Sequence, residues 1–294
     1  MKAHAIQFLG VEGQAFDLEG SRAVIVPFGY EGGVSYGHGT AGAPLSVLRA
    51  SHYVELYDEV LEYEPYRVGV ATVDAGAPSG AAEQMIDQIR GITAGLLKQE
   101  KFVIVIGGDH SISSGFGRAA AQRWTKLGVV QFDAHADLRD TYEGSPLSHA
   151  CPMARLREIT PHTLQLGIRS LSAEEAELIK RERLEVGFMH LMRAGRFDFE
   201  AALRRLPDTV FLTIDVDVFD WSVIRSTGTP EPGGLLWNEA LDLLRRLFET
   251  KNVIGCDVVE LAQRDDDPNS AFAVARLIYK LIGFKFALSP TPPI

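Results

Sequence analysis

The chain has 294 residues, of which 46% are hydrophobic, and it carries a formal net charge of −10 at pH 7. This content is enough for a large buried core, which excludes a disordered chain. The acidic balance argues against a nucleic-acid partner, because such binding needs clustered lysine and arginine, and it suits a small cationic substrate better.

Cysteine content and hydropathy exclude further classes of protein. The only two cysteines, Cys151 and Cys256, lie far apart in the sequence, so we expect both to be reduced, with no disulfide framework and no thiolate zinc site. Residues 1–20 lack a basic segment followed by a long apolar one, and no later stretch reaches membrane-spanning length. We therefore expect a cytoplasmic protein with no membrane partner.

Eight short apolar runs recur along the chain, each typical of a buried β-strand. In order they are Ala23–Pro27, Val68–Val73, Phe102–Ile106, Leu127–Phe132, Thr163–Leu166, Glu185–Met189, Val210–Ile214 and Val253–Val259. Because their apolar residues are continuous rather than alternating, they favour parallel strands covered on both faces. Helical spacing of apolar residues marks three of the covering segments, Ala81–Lys98, Asn238–Phe248 and Ser270–Ile282.

The alternation of strands and helices predicts an α/β fold, a three-layer α/β/α sandwich with a mainly parallel sheet of about eight strands. No linker rich in proline, glycine or serine, no charge block and no internal repeat divides the chain. We therefore expect a single domain over residues 1–294. In such sheets the ligand crevice lies beyond the carboxyl ends of the strands.

Metal-ligand side chains follow three of the predicted strands. Asp133-Ala134-His135-Ala136-Asp137 comes directly after the fourth run, and strand alternation points its three polar side chains the same way. Asp215 and Asp217 repeat this pattern after the seventh run, and His110 follows paired glycines that permit a tight turn. Buried acids and imidazoles are costly unless a cation lies between them.

These strand ends together offer two imidazoles and four carboxylates. The candidate metal ligands are His110, Asp133, His135, Asp137, Asp215 and Asp217. The set is too anionic for one divalent ion and matches two ions that activate a shared water for hydrolysis. Oxygen-rich ligands with some imidazole favour manganese over zinc or copper, while nickel, cobalt and iron stay open. Singly, each residue is more often a cap or an ion-pair member, and only their convergence favours the metal site.

Four longer motifs resemble the ureohydrolase family of arginases and agmatinases. They are Gly107-Gly108-Asp109-His110-Ser111, Asp133-Ala134-His135-Ala136-Asp137, Asp215-Val216-Asp217-Val218-Phe219-Asp220 and Thr227-Gly228-Thr229-Pro230-Glu231-Pro232-Gly233-Gly234. The likeness runs from about Gly29 to Lys280. It includes Gly32-Gly33-Val34-Ser35-Tyr36 and Gly167-Ile168-Arg169-Ser170, and is greatest to agmatinases. The resemblance implies an arginase-like fold and two Mn²⁺ per subunit, with an activated water that attacks a guanidinium carbon and releases urea.

The resemblance also assigns roles to individual residues. One ion would take His110, Asp133, Asp137 and Asp215, and the other Asp133, His135, Asp215 and Asp217. His149 matches the histidine that delivers a proton to the leaving amine, which suits an imidazole near neutral pH. Glu260 matches the glutamate that binds the guanidinium group through paired hydrogen bonds. Without the resemblance, an ordinary loop histidine and an ordinary strand-end acid would be the simpler interpretations.

The choice of substrate depends on the residues that follow the Gly167–Ser170 stretch. Arginases bind the α-amine of arginine through acids at positions that match Ser170 and Ser172 here, so an amino-acid substrate is less expected. We predict hydrolysis of agmatine to putrescine and urea. N1-aminopropylagmatine, guanidinobutyrate and arginine remain alternatives, and a non-catalytic metal-binding homologue is less favoured. A two-metal phosphatase would need basic phosphate clamps, which these motifs lack.

Several further expectations concern the surroundings of the site. Asp140 and Glu143 are candidates to bind a distal ammonium, although a solvated loop face is the plainer interpretation. The chain departs from the usual family pattern at Trp221 and at Leu261-Ala262-Gln263, where the pocket wall is in question. Family likeness also implies a homotrimer or homohexamer.

Overall fold

The computed structural model describes residues 1–11, 17–78 and 80–290. Eight strands in this part of the chain form one sheet in which every paired neighbour is parallel. They are β1 Ala23–Phe28, β2 Val70–Thr72, β3 Phe102–Gly107, β4 Gly128–Phe132, β5 Thr163–Ile168, β6 Glu185–Phe188, β7 Thr209–Asp215 and β8 Asn252–Val259. The strand order is β2-β1-β3-β8-β7-β4-β5-β6.

Nine α-helices are described alongside the sheet. They are α1 Ala43–Ser51, α2 Ala82–Lys98, α3 Ser113–Ala121, α4 Pro152–Arg157, α5 Ala173–Glu182, α6 Met189–Arg193, α7 Phe199–Arg205, α8 Trp237–Thr250 and α9 Pro268–Ala287. Among the described residues, no helix has the length and apolar character needed to cross a bilayer.

Two hydrophobic clusters fill the two faces of the sheet, because successive strand residues point to opposite sides. On β3, Ile104 packs into a cluster with residues of α1, α8 and α9. Its neighbours Val103 and Val105 pack into the other cluster, with residues of α2, α3 and α4. The three-layer sandwich predicted from the continuous apolar runs is therefore confirmed.

The ends of the predicted elements agree with the structure to within two residues, except that the helix predicted to end at Ile282 continues to Ala287. The second run was predicted from Val68, but β2 begins at Val70 because Pro65–Val68 forms a 3₁₀ turn and Gly69 has a φ of 81°. The sixth run was predicted to Met189, but Met189 begins α6. The predicted single domain spans residues 1–294, of which 12–16, 79 and 291–294 lie outside the described residues, and it stays a prediction.

The strand order decides where the site lies. Strands β3, β8, β7 and β4 are consecutive in the sheet although they are distant in the sequence. Since parallel strands end at the same edge, the segments that follow these four strands meet there. These segments begin at Gly108, Glu260, Val216 and Asp133.

Candidate metal centre

The six predicted metal ligands lie together at the carboxyl ends of β3, β4 and β7. His110 begins a 3₁₀ turn, and the carboxylate of Asp109 accepts the backbone N–H of Ser111 at its start. A side chain at Gly108 would place a Cβ 1.7 Å from the carbonyl oxygen of Tyr30, so only glycine allows this close backbone approach. The paired glycines therefore bring His110 to the edge of the sheet.

His110 is the centre of the first group of donors. Its Nδ1 lies 3.1 Å from Asp133 Oδ2, 3.0 Å from Asp137 Oδ2 and 3.4 Å from Asp215 Oδ2. All four side chains are buried, and His110 is only 1% exposed. Three carboxylates thus converge on one imidazole nitrogen.

His135 is the centre of the second group. Its Nδ1 lies 2.9 Å from Asp217 Oδ2 and 3.7 Å from Asp133 Oδ1. The donor atoms of these three residues lie within 4.8 Å of one another, as do those of His110, Asp133 and Asp137. Asp133 belongs to both groups, so the structure places two adjacent clusters that are able to bind metal.

The local backbone explains this convergence. Asp133 Oδ1 accepts the N–H of His135 at 2.6 Å, and Asp217 Oδ1 accepts the N–H of Ala134 at 2.9 Å. Asp137 has a φ of 54°, in the left-handed region that residues other than glycine rarely adopt. Backbone strain of this kind is common at functional sites, where contacts with the surrounding structure stabilise the strained conformation.

Electrostatics of the cluster show an excess of buried negative charge. Burial raises the pKa of Asp137 to about 7, and the charge of Asp133 adds to the rise. Burial also raises the pKa of Asp215 well above its usual range, with neighbouring carboxylates adding to it. Burial would lower the pKa of both histidines, but the neighbouring carboxylates have the larger effect. They raise the pKa of His110 well above its usual range and the pKa of His135 to about 12. The acids thus need a compensating cation.

Two donor atoms of the cluster have the surroundings that a metal ion would fit. His110 Nδ1 and Asp217 Oδ2 are buried and lie 3.0 Å from Asp137 Oδ2 and 2.9 Å from His135 Nδ1, but neither atom forms a hydrogen bond of good geometry among the described residues. The opposite nitrogen of His110, Nε2, lies 2.9 Å from Thr213 Oγ1, which suits a tautomer that keeps the Nδ1 lone pair for a metal. The donor set therefore fits divalent ions, which prefer such oxygen and imidazole ligands.

His149 and Glu260 lie beside the metal-ligand cluster, as predicted. His149 Nδ1 is 3.5 Å from Glu260 Oε1, and the same oxygen accepts the backbone N–H of His110 at 2.7 Å. Glu260 Oε2 is buried and has no hydrogen-bond partner among the described residues. Burial lowers the pKa of His149, but the adjacent Glu260 carboxylate outweighs this effect and raises it.

Ser35 is a neighbour of this site to which the sequence analysis assigned no role. Its Oγ lies 3.0 Å from His149 Nε2. The loop that carries it is held by Asp109 Oδ2, which accepts the N–H groups of Gly32 and Gly33 at 2.9 and 2.8 Å. Ser35 lies within the Gly32–Tyr36 motif, and that position was the one signal that could have identified it.

Other residues support the cluster from behind. Gln131 donates to Asp133 Oδ2 at 2.6 Å, and Gln165 donates to the side-chain oxygen of Gln131 at 2.5 Å. Arg169 donates to the backbone oxygens of Asp217 and Glu231, at 2.6 and 2.8 Å. Sequence reasoning missed the two glutamines because a buried polar strand residue shows its purpose only once its neighbours are known.

A cavity of about 230 Å³ leads to the cluster. Its lining includes Ser35, His135, Asp137, Tyr142, His149 and Asp215. Of the two acids considered for a distal ammonium, Asp140 is 91% exposed and pairs with Arg155 at 2.7 Å. Glu143 is exposed at a turn with a φ of 49°. The ion pair makes Asp140 a poor candidate for substrate binding.

The departures from the family pattern leave the metal-ligand cluster intact. The segment Leu261-Ala262-Gln263 does not line the cavity described above. Its backbone is held by two hydrogen bonds, in which Ala262 N donates to Ser226 O and Gln263 N donates to Gly39 O. Trp221 is 48% exposed and does not line the cavity that leads to the cluster.

Comparisons with known proteins agree with these observations. The model of the arginase family matches residues 21–283. An N(1)-aminopropylagmatine ureohydrolase from Synechocystis sp. is 42% identical over 270 residues, which cover 89% of this chain and 88% of that protein. An agmatinase from Bacillus cereus is 33% identical, with 90% and 92% covered. The crystal structure of agmatine ureohydrolase of Thermoplasma volcanium has a TM-score of 0.84 at 26% identity, with 97% and 94% covered.

Proposed function

The chain belongs to the arginase family of metal-dependent amidinohydrolases, and we propose from this premise that it hydrolyses the guanidino group of a linear cationic amine to release urea. The family resemblance seen in the four motifs and the arginase-like fold are both confirmed. The observation that carries the proposal is the pair of adjacent donor groups that share Asp133.

The six clustered residues are the proposed metal ligands. His110, Asp137 and Asp133 would hold one ion, Asp133, His135 and Asp217 the other, and Asp215 would contact both. The acidic, oxygen-rich set favours two Mn²⁺, as predicted from the sequence. When bound, a pair of divalent ions would lower the pKa of water and so supply a nucleophile at neutral pH.

Glu260 is the proposed guanidinium-binding group. Its Oε1 is already held by the backbone N–H of His110, so the carboxylate has a fixed orientation. Its buried Oε2, which has no partner among the described residues, is then available to a substrate N–H. A planar guanidinium offers parallel N–H donors that match a carboxylate, and this pairing would place its carbon against the metal ligands.

His149 is the proposed proton donor to the leaving amine. The Glu260 carboxylate raises the pKa of His149 against the effect of burial, so the imidazole can hold a proton near neutral pH. Its Nε2 faces Ser35 Oγ across 3.0 Å, at the cavity wall. In this proposal Ser35 orients the ring by holding Nε2 at the cavity wall, from which His149 would pass its proton to the leaving nitrogen.

The substrate that we propose is N1-aminopropylagmatine. The 42% identical relative carries that name, whereas the agmatinase from Bacillus cereus is 33% identical. Agmatine, predicted from the sequence, is the competing candidate because both molecules present the same guanidinobutyl group to the metal ligands. The positions that matched the arginase acids are Ser170 and Ser172, so arginine lacks its charge partners. A cytoplasmic location and a homotrimer or homohexamer stay predictions.

A substrate panel tests this proposal. With the manganese-loaded protein, we expect urea release from N1-aminopropylagmatine with a kcat/KM about tenfold above that for agmatine, since a second ammonium adds an interaction of about 1.4 kcal/mol. Guanidinobutyrate and arginine should react far more slowly. Equal or higher kcat/KM for agmatine would restore the agmatine prediction. Urea from arginine alone would overturn both.

Replacing Ser35 by alanine tests the orientation of His149. We expect kcat to fall about tenfold, because one hydrogen bond to a charged group is worth roughly 1.5 kcal/mol, with KM and metal content little changed. The pH profile of kcat should shift, since His149 loses the partner of its Nε2. Ser35→Thr keeps the hydroxyl and should restore most of the rate. A Ser35→Ala variant with the wild-type profile would remove Ser35 from the mechanism.

A further inference from the structure

A second cavity, of about 310 Å³, opens at the edge of the sheet opposite the candidate metal centre. It lies between the starts of β1, β3 and β8, the end of α2, the segment after α3 and the last turn of α9. Its charged lining residues are Glu19, Arg22, Glu100, Lys101, Arg123 and Lys285. Three aromatic rings, those of Phe102, Trp124 and Phe286, complete the wall. The proposed hydrolysis uses no residue of this cavity.

Two of the four basic side chains of this cavity already have an ion-pair or hydrogen-bond partner within the protein. Arg123 pairs with Glu100 at 2.9 Å. The ammonium of Lys101 donates to the backbone oxygens of Glu19 and Ser21, at 2.9 and 2.7 Å. These two groups therefore stabilise the cavity wall and leave little charge for a ligand.

Arg22 and Lys285 differ from them because neither has a carboxylate within ion-pair distance among the described residues. The Arg22 guanidinium carbon lies 4.4 Å from the centre of the Phe286 ring. The ammonium of Lys285 donates to Asn252 Oδ1 at 2.8 Å and lies 5.8 Å from the centre of the Phe102 ring. Aromatic faces and an amide oxygen orient both cations but do not neutralise them.

The two unneutralised cations also act on each other. Burial lowers the pKa of Lys285 to about 8, and the charge of Arg22 contributes to this shift. Two like charges held around one cavity are unfavourable, and a ligand of opposite charge would relieve their repulsion.

We propose that this cavity binds a small phosphate-bearing anion through Arg22 and Lys285. A guanidinium fork and a lysine ammonium are common phosphate ligands, the first by paired hydrogen bonds and the second as a point charge. The cavity is larger than a single phosphate group needs, and its rings offer faces on which an organic part can pack. The bound anion would connect β1 to α9 and should stabilise the fold.

Thermal unfolding of the intact, manganese-loaded protein tests the site. We use sodium sulfate as the inorganic probe and adenosine monophosphate as the organic one, each compared with sodium chloride at equal ionic strength. We expect both probes to raise the midpoint saturably in the wild-type protein. Adenosine monophosphate acting at lower concentration than sulfate would identify an organic phosphate as the ligand, and equal potency would identify the free ion.

Matched variants separate this site from a general salt effect. Arg22→Met and Lys285→Met should each lose at least three quarters of the anion-induced shift. Lys285→Arg keeps the charge and should retain it. Lys180→Met removes an exposed lysine of α5 that lies outside the cavity and should behave as wild type. A shift of equal size in the Lys285→Met and Lys180→Met variants, or no shift with either probe, would overturn the proposal.

Tryptophan fluorescence gives a second, local measurement. Trp124 lines the cavity and is one of three tryptophans in the chain. A saturable change in emission upon sulfate addition should occur in the wild-type protein and vanish in Trp124→Phe, whose thermal shift with sulfate should persist. If the emission change survives that substitution, the anion binds elsewhere and the proposal is wrong. Urea release is measured separately, so a failure here leaves the proposed hydrolysis untouched.

Discussion

Replacing Asp133 by asparagine is expected to remove bound metal and urea release together. Its two carboxylate oxygens serve different groups, since Oδ2 lies 3.1 Å from His110 Nδ1 and Oδ1 lies 3.7 Å from His135 Nδ1. The side chain is fully buried, so bulk solvent does not screen the loss of its charge. Losing this shared charge would weaken the binding of both proposed ions. The loss of several kcal/mol of transition-state stabilisation corresponds to about a 10³-fold fall in kcat/KM.

Metal content after dialysis and the rate of urea release measure this expectation. Asp140→Asn is the matched control, because Asp140 lies in the same chain segment but is 91% exposed and pairs with Arg155. That variant should keep its metal and its rate. Wild-type protein saturated with manganese should also unfold at a higher temperature than metal-free protein, by a margin that Asp133→Asn loses. A fully active Asp133→Asn variant would contradict the shared role of Asp133.

The clustering of the six candidate ligands could be expected from the sequence because strand ends are local properties of the sequence. The runs that end at Phe132 and Ile214 place Asp133 and Asp215 at the edge of the sheet. Strand alternation does not orient the rest, because Asp137 has a φ of 54° and Asp217 lies in the 3₁₀ turn Val216–Val218. That these segments meet could be inferred only from the rule that parallel strands end at one edge. The order β3-β8-β7-β4, which makes them neighbours, is a tertiary property that no local pattern contains.

Three other residues of the candidate site could not be identified from local sequence patterns. They are His149, Glu260 and Ser35. None of them has a local signal, since each lies in a loop or at a strand end where such residues are common. The first two were identified through the resemblance alone, and Ser35 only when its Oγ was found 3.0 Å from His149 Nε2. Contacts between residues more than a hundred positions apart depend on loop conformations, which the sequence specifies only through the completed fold.

Apolar spacing predicted three of the helices with their bounds, and the shorter helices have no bounds predicted from the sequence. Helix α3 is nine residues long and has the sequence SSGFGRAAA, in which Phe116 is the one large apolar residue. Gly115 lies against α2, where an added Cβ would approach the side chain of Ile89 to 2.3 Å. Close packing between two helices therefore explains α3, and this information is absent from propensity and pattern.

The second large effect expected is on stability, from a buried ion pair that the sequence analysis did not anticipate. Lys280 on α9 is 2% exposed and Asp58 is fully buried, with Nζ 3.0 Å from Asp58 Oδ2. The same ammonium lies 3.0 Å from Glu59 Oε1. Asp58 Oδ1 accepts the backbone N–H groups of Val60 and Leu61, each at 3.0 Å, so this carboxylate anchors the segment before β2 to α9.

Replacing Lys280 by methionine keeps a long unbranched side chain but leaves the Asp58 carboxylate buried without its cation. We expect a loss of about 3–5 kcal/mol in the free energy of unfolding, measured by denaturant titration of the metal-loaded protein. Adding Asp58→Asn should recover more than half of this loss, because the penalty comes from the unpaired charge rather than from the missing lysine. Lys180→Met, on an exposed face, should change stability by less than about 0.5 kcal/mol. If Lys280→Met is as stable as wild type, solvent reaches the Asp58 carboxylate and the pair does not anchor α9.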